Sequence, residues 1–322
     1  MQRRNRRRKK SLIGKVVSVF LVLIIVAIAV VFGVKALNNH TSVAKTAKSS
    51  LKSSTVPSSV VSASSQAQSG SATPAWLNSK ADNQLPILMF HYVSSKQSDL
   101  VDSNWMPTST FEANLQALQQ AGYTTVTASE AEKILTTKTK PSNKMVWLTF
   151  DDGSLTVYRD IFPLLKKYHM HATAFIITGF VDKQQPGILT WAQIKEMQAS
   201  GLVDFESHTV SHLDLGTLST SDATYQLQQS QKELNQELGQ NTDIICYPAG
   251  GYNQETLQLD SSLGYKFGLL DPGRNGAVAQ AASASNGLLT LPRFRMASST
   301  GPQELMSMLA SSAAYNSENT VN

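Results

Sequence analysis

Apolar and polar positions alternate in blocks over the last three quarters of the chain, each block having the length of a strand or a helix. Ser109-x-x-Glu112 reads as a capping box, with Phe111, Leu115 and Leu118 forming an apolar stripe behind it. Met145 to Phe150 is a strand-length apolar run, followed by a helical stretch through Phe162 and Leu165 and a strand from Ala172 to Thr178. Thr190 is placed to cap a helix over Trp191 to Ala199, which stops at Gly201. After a strand at Leu202 to Phe205 comes a long polar helix, Asp222 to Leu238, and then a strand from Asp243 to Tyr247. A short helix near Glu255 to Leu263 precedes the strand Lys266 to Leu270. Such alternation implies an α/β fold with a parallel sheet, open or closed into a barrel.

The amino-terminal part follows another pattern. Residues 2 to 10 hold seven Arg or Lys, and residues 16–34 then run for nineteen residues without a charge, between Lys15 and Lys35. That length spans a hydrocarbon core as a helix at about 1.5 Å per residue. The basic cluster in residues 1–15 places the amino terminus inside the cell and everything after Lys35 outside. A cleavable signal peptide is the competing reading; the run is longer than a signal core and no small-x-small site directly follows it, which favours an uncleaved anchor. Residues 35–81 are rich in Ser, Ala and Thr, contain no Asp or Glu, and cannot bury a core. Read as a disordered linker, they give a root-mean-square reach of roughly 35 to 40 Å. The catalytic region is expected over residues 82–322.

Charge sharpens this division. The whole chain carries a formal +5, yet from residue 82 onward 15 Lys and Arg stand against 23 Asp and Glu, a formal charge of −8. The exported part therefore offers no nucleic-acid groove, and no obligate protein partner is evident. The single cysteine, Cys246, excludes an intramolecular disulfide and sits in an apolar run, where a buried small hydrophobe is the simplest reading. There is no Gly-x-Ser-x-Gly elbow for a serine hydrolase.

Candidate chemistry gathers at two places. Asp151 and Asp152 end the apolar run at Met145 to Phe150, so that one carboxylate can bind a cation while its neighbour takes a proton. His208 and His212, at i and i+4, would share one face of a helical turn and grip the same ion. Two histidines and one carboxylate form a facial set with open positions for water and substrate, which is the pattern of catalysis. Both motifs follow strands, at the carboxyl ends where α/β folds place active sites. His169 and His171 lie in a short helix-to-strand connection with no carboxylate in the segment, which argues against a second metal site.

These motifs resemble those of the polysaccharide deacetylases, metal-dependent carbohydrate esterases with a NodB-type domain. Thr149 to Gly153 matches the family's Thr-Phe-Asp-Asp-Gly, and His208 to His212 its His-Ser/Thr-x-x-His. The likeness extends roughly from Leu85 to Met296. Pro86 to Tyr92 resembles the opening strand of the branch acting on poly-N-acetylglucosamine and related envelope glycans, and Ala121 to Tyr123, Tyr247 to Gly250 and Leu291 to Arg293 resemble its later landmarks. The resemblance implies a distorted (β/α) barrel with fewer than eight repeats. It implies Asp151 as base, Asp152, His208 and His212 as metal ligands, and the Tyr247, Pro248, Ala249 and Gly250 loop as the substrate and oxyanion loop.

Two departures shape the expected site. The family's Arg-x-Pro-Tyr-Gly motif is Cys246-Tyr247-Pro248-Ala249-Gly250 here, so its base-orienting arginine is missing; Arg293 is the first candidate to replace it, with Arg295 and Arg274 as alternatives. No histidine follows His212, so the late Leu-x-x-His acid is absent, and His91 takes that place in the branch resembled. The resulting expectation is a zinc-dependent enzyme, with Co, Ni or Fe also fitting the ligand set. It would remove N-acetyl groups from an acetylated glycan, poly-N-acetylglucosamine or peptidoglycan, outside the cell. An O-acetyl esterase and a catalytically silent glycan-binding protein remain as alternatives.

Overall fold

The structure, a computed structural model, describes residues 75–321, and the expected anchor at 16–34 and most of the linker lie outside the described residues. Among the described residues no helix is long and apolar enough to cross a membrane. Seven strands form the central sheet: β1 (Ile87–Phe90), β2 (Met145–Phe150), β3 (Ala172–Ile176), β4 (Val203–Ser207), β5 (Ile244–Cys246), β6 (Phe267–Leu269) and β7 (Phe294–Arg295). Their order is β6-β5-β4-β3-β2-β1-β7, and every pairing is parallel. The short strand Thr124–Thr125 pairs with the start of β2.

The sheet curls until one segment touches both of its edges. Leu291 bridges to Leu269 of β6, and Phe294 and Arg295, a few residues on, pair with Leu88 and Met89 of β1. Residue parity explains what each face does. In β2, Val146, Leu148 and Phe150 pack outward with Leu88, Phe90, Phe111 and Leu115, whereas Met145 and Trp147 join Ile87, Phe175, Cys246 and Leu269 inside. All six β2 residues are buried, as expected of a parallel strand covered on both faces. The inward row of β2 thus runs Met145, Trp147, Thr149 and ends at Asp151, and that of β4 runs Asp204, Glu206 and ends at His208.

Several sequence expectations need correction. The helix carrying Phe111 begins at Thr108 behind Pro107, with no side-chain cap, so Ser109 and Glu112 form no capping box. Glu112 instead accepts hydrogen bonds from Lys167 and Tyr168. A full capping box does form at Thr190 and Gln193, as the sequence implies, and another at Thr127 and Glu130. β3 ends at Ile176, because Thr178 starts a short helix, Thr178–Asp182. The folded region also begins before residue 82: Leu77–Asn78 pairs with Thr139–Lys140, and Asn83 bonds the carbonyls of Ile134, Thr137 and Thr139.

Candidate active site

Asp151 and Asp152 diverge because the chain turns sharply between them. Asp151 continues the inward row of β2, and its backbone N–H bonds Phe90 O. Asp152 adopts φ 72° and Gly153 φ 62°, left-handed backbone that sends the second carboxylate away from the first. A side chain at Gly153 would also press on Ile176 Cδ1, at 3.2 Å.

The histidine pair is brought to Asp152, although not by a helix. His208 follows β4 in a turn in which Thr209 (φ 66°) and His212 (φ 56°) are both left-handed, so the i, i+4 geometry of a helical turn does not apply. The backbone N–H groups of Thr209 and His212 donate to the hydroxyl oxygens of Ser207 and Thr209 respectively, which braces this turn. The two imidazoles stand 4.8 Å apart at 71°, and the Nε2 atoms of both lie 3.4 Å from Asp152 Oδ1.

The protonation pattern tests whether a metal fits. His208 Nδ1 is 2.7 Å from the carbonyl oxygen of Cys246, which only accepts, so Nδ1 must carry the proton. In neutral His208, Nε2 then presents a lone pair to a carboxylate oxygen that is buried and has no hydrogen-bond partner among the described residues. Two acceptors facing one another are stabilised by a cation between them, and donor atoms of Asp152, His208 and His212 all lie within 4.8 Å of one another. The residues present fit a divalent metal. Burial alone would raise the Asp152 carboxyl; positive charge on the two imidazoles outweighs burial and holds that carboxyl well below its ordinary range, so Asp152 favours a positive group at the spot where a metal would sit. His212 is raised in turn by Asp152.

A second grouping, Asp151, His208 and Cys246, has comparable spacing but different chemistry. Burial pushes the Cys246 thiol well up, and its sulfur is already taken up between Asp151 Oδ2, to which it donates, and Arg293 Nη2, from which it accepts. Asp151 is already engaged: Arg293 donates to both of its oxygens, at 2.9 and 2.8 Å, and also to Thr149 Oγ1 and Leu270 O. Arg293 and Asp151 are both buried. Burial would raise the Asp151 carboxyl, but the guanidinium reverses this and holds it at about 2. Cys246, at the position where the resembled motif carries an arginine, lies 3.1 Å from Arg293 Nη2, so Arg293 reaches Asp151 from the segment just before β7. Arg295 pairs with Asp271 and Asn104 instead.

His91 directly follows β1, in step with the inward-facing Ile87, and the carboxylates of Asp151 and Asp152 both act on it. Burial lowers its pKa and those carboxylates partly restore it. In the Tyr247 to Gly250 loop, Ala249 is exposed with φ 50°, and Asn275 Nδ2 clamps Gly250 O at 2.6 Å. No backbone carbonyl among the described residues takes up the Ala249 N–H. His169 and His171 belong to no ligand group among the described residues. Sequence reasoning missed Tyr92, whose hydroxyl donates to Asp152 Oδ2. Its place beside His91 was the only available signal, because nothing in the spacing links residue 92 to residue 152.

Comparison with known proteins agrees with this geometry. Residues 138–268 match the polysaccharide deacetylase family. YxkH of Bacillus subtilis, which is named for that family, is 40% identical over 225 residues, covering 70% of this chain and 75% of its own length. The chain belongs to the polysaccharide deacetylase family. A Streptococcus pyogenes deacetylase, PplD, solved in complex with acetate, superposes with a TM-score of 0.66 at 35% identity, over 71% of this chain and 99% of that one. A poly-β-1,6-N-acetyl-D-glucosamine N-deacetylase of Staphylococcus aureus is 34% identical over 142 residues, 41% of this chain and 49% of that protein.

Proposed function

We propose that this deacetylase removes N-acetyl groups from N-acetylglucosamine-containing envelope glycans, poly-N-acetylglucosamine or the peptidoglycan backbone, using a divalent metal held by Asp152, His208 and His212. The single observation that carries the reading is the division of labour between adjacent carboxylates. Asp152 faces two imidazoles, whereas Asp151 is held by Arg293 and left out of the ligand set. Asp152, His208 and His212 would hold the metal, zinc by default, and when bound it would supply polarisation of the acetyl carbonyl and a more acidic water. Asp151 accepts the proton of the attacking water, and Arg293 keeps it ionised and aimed. The Ala249 N–H donates to the developing oxyanion. His91, in its protonated form, donates its own proton to the glucosamine nitrogen as the C–N bond breaks, and Asp151 keeps the proton taken from water.

The named activity of the Staphylococcus aureus relative supports an N-acetylglucosamine polymer as substrate. The run at 16–34 and the Ser-rich stretch after it support a membrane-tethered enzyme working outside the cell. One observation favours a second reading, an O-acetyl esterase on the same machinery: burial lowers His91, and an ester, with its easier leaving group, depends less on a protonated acid.

The test is release of acetate and free amine from N-acetylglucosamine oligomers by the zinc-loaded chain, with and without chelator. Release of both products, abolished by chelator, is the expected result. Acetate from O-acetylated sugars only would favour the esterase, and no turnover of any acetylated glycan despite bound zinc would contradict both readings.

A further inference from the structure

The two oxygens of Asp152 are not equivalent. Oδ1 faces both imidazoles at 3.4 Å and has no hydrogen-bond partner among the described residues. Oδ2 accepts the hydroxyl hydrogen of Tyr92. We propose that Tyr92 is a positioning residue of the metal centre, occupying Oδ2 so that Asp152 offers a cation Oδ1 alone. This rests on reading Asp152, His208 and His212 as the ligand set.

The fold holds Tyr92 in that position from both ends. Tyr92 opens the short strand Tyr92–Ser94, which pairs in parallel with Trp105–Pro107 and sets Tyr92 opposite Trp105. The two rings stack at 4.6 Å and 29°, and the Tyr92 N–H bonds Asn104 O at 3.1 Å. With the ring stacked on Trp105, the hydroxyl meets Asp152 Oδ2. Asp152 sits on left-handed backbone, which fixes the main chain but not the side-chain torsions that decide which carboxylate oxygen faces a cation. A donor on Oδ2 fixes those torsions. Without it, both oxygens would turn toward the cation, and two-oxygen ligation would consume a coordination position that water or substrate needs. Outer hydrogen bonds of this kind orient a ligand and change metal affinity by about 10- to 100-fold.

The test measures zinc affinity by chelator competition, and the visible absorption of the cobalt-substituted protein, for the full chain and for Tyr92→Phe, which keeps the ring and its stack. The expected result is zinc binding weakened about tenfold or more, together with a cobalt spectrum shifted toward higher coordination. Zinc affinity and a cobalt spectrum equal to those of the parent would overturn the proposal. A parent chain that binds no zinc would instead overturn the metal reading beneath it. Should Tyr92→Phe fail to fold, Trp105→Ala decides by the same two readouts, since it keeps the hydroxyl but frees the ring: weakened zinc binding with an altered spectrum supports the proposal, and parent values overturn it.

Discussion

Arg293 shows how a lost motif residue is replaced in space. Its guanidinium, wholly buried, meets Asp151 through two parallel bonds, a fork geometry that lysine cannot reproduce. Arg293→Lys is therefore expected to lower kcat by about 100-fold or more while changing KM little, on the scale of losing one oriented electrostatic contact, and steady-state kinetics on acetylated oligomers check it. Arg293→Met leaves a buried carboxylate unpaired and is expected to cost about 3 to 5 kcal/mol of stability, read by urea unfolding at neutral pH. The Asp151-Asp152 pair and the His208/His212 pair were visible as local patterns, while their sharing of one site was implied by the family resemblance; the structure brings Asp152, His208 and His212 together. Tyr92 was not, because a hydroxyl that reaches a residue sixty positions away leaves no local pattern.

At the scale of elements, strands were legible wherever both faces are buried. The six-residue run of β2 was placed without error because a wholly apolar run of that length between polar breaks fits a covered parallel strand. The histidine turn was misread, since i, i+4 spacing does not distinguish a helical turn from one built on two left-handed residues. The loop after β5 is supported by a neighbour the sequence did not reveal: buried Tyr247 donates its hydroxyl to Asp260, in the helix Gln254–Leu263, at 2.7 Å. Burial raises the Asp260 carboxyl to about 7. The folded state thus binds a proton more tightly than the unfolded chain, whose carboxyl has its ordinary pKa. This stability term is fully present at low pH and is lost as pH rises from about 4 to about 7. Asp260→Asn, which keeps the acceptor, is expected to flatten that part of the stability-pH curve, measured by urea unfolding across the same window.

At the largest scale, the described residues, 75–321, are closed into one fold by contacts between distant segments. The Leu291 to Arg295 stretch joins both edges of the sheet and delivers Arg293 to the site, yet in sequence it is a short run with no periodicity. The final helix, Pro302–Glu318, buries Leu305 and Leu309 beneath a Ser- and Ala-rich surface that gave little contrast. The amino-terminal edge is tied to the same tail. Ser79 bridges to Thr320, Lys80 N–H bonds Asn319 O, and buried Lys140 Nζ bonds Asn316 O at 2.5 Å. A chain truncated to begin at residue 82 is therefore expected to melt several degrees lower than one beginning at residue 75, the shift that a loss of about 1 to 2 kcal/mol gives a domain of this size. Differential scanning calorimetry of the two checks it, and equal melting would place the boundary where the composition changes.

The central claim is that adjacent carboxylates divide the work, Asp152 binding metal and Asp151 handling the proton. Bound zinc and deacetylation should be measured together in the parent chain, Asp151→Asn and Asp152→Asn. Asp151→Asn is expected to retain zinc while losing activity by about 100-fold or more, and Asp152→Asn to lose both. Undiminished turnover in Asp151→Asn, or full zinc occupancy in Asp152→Asn, would contradict the claim.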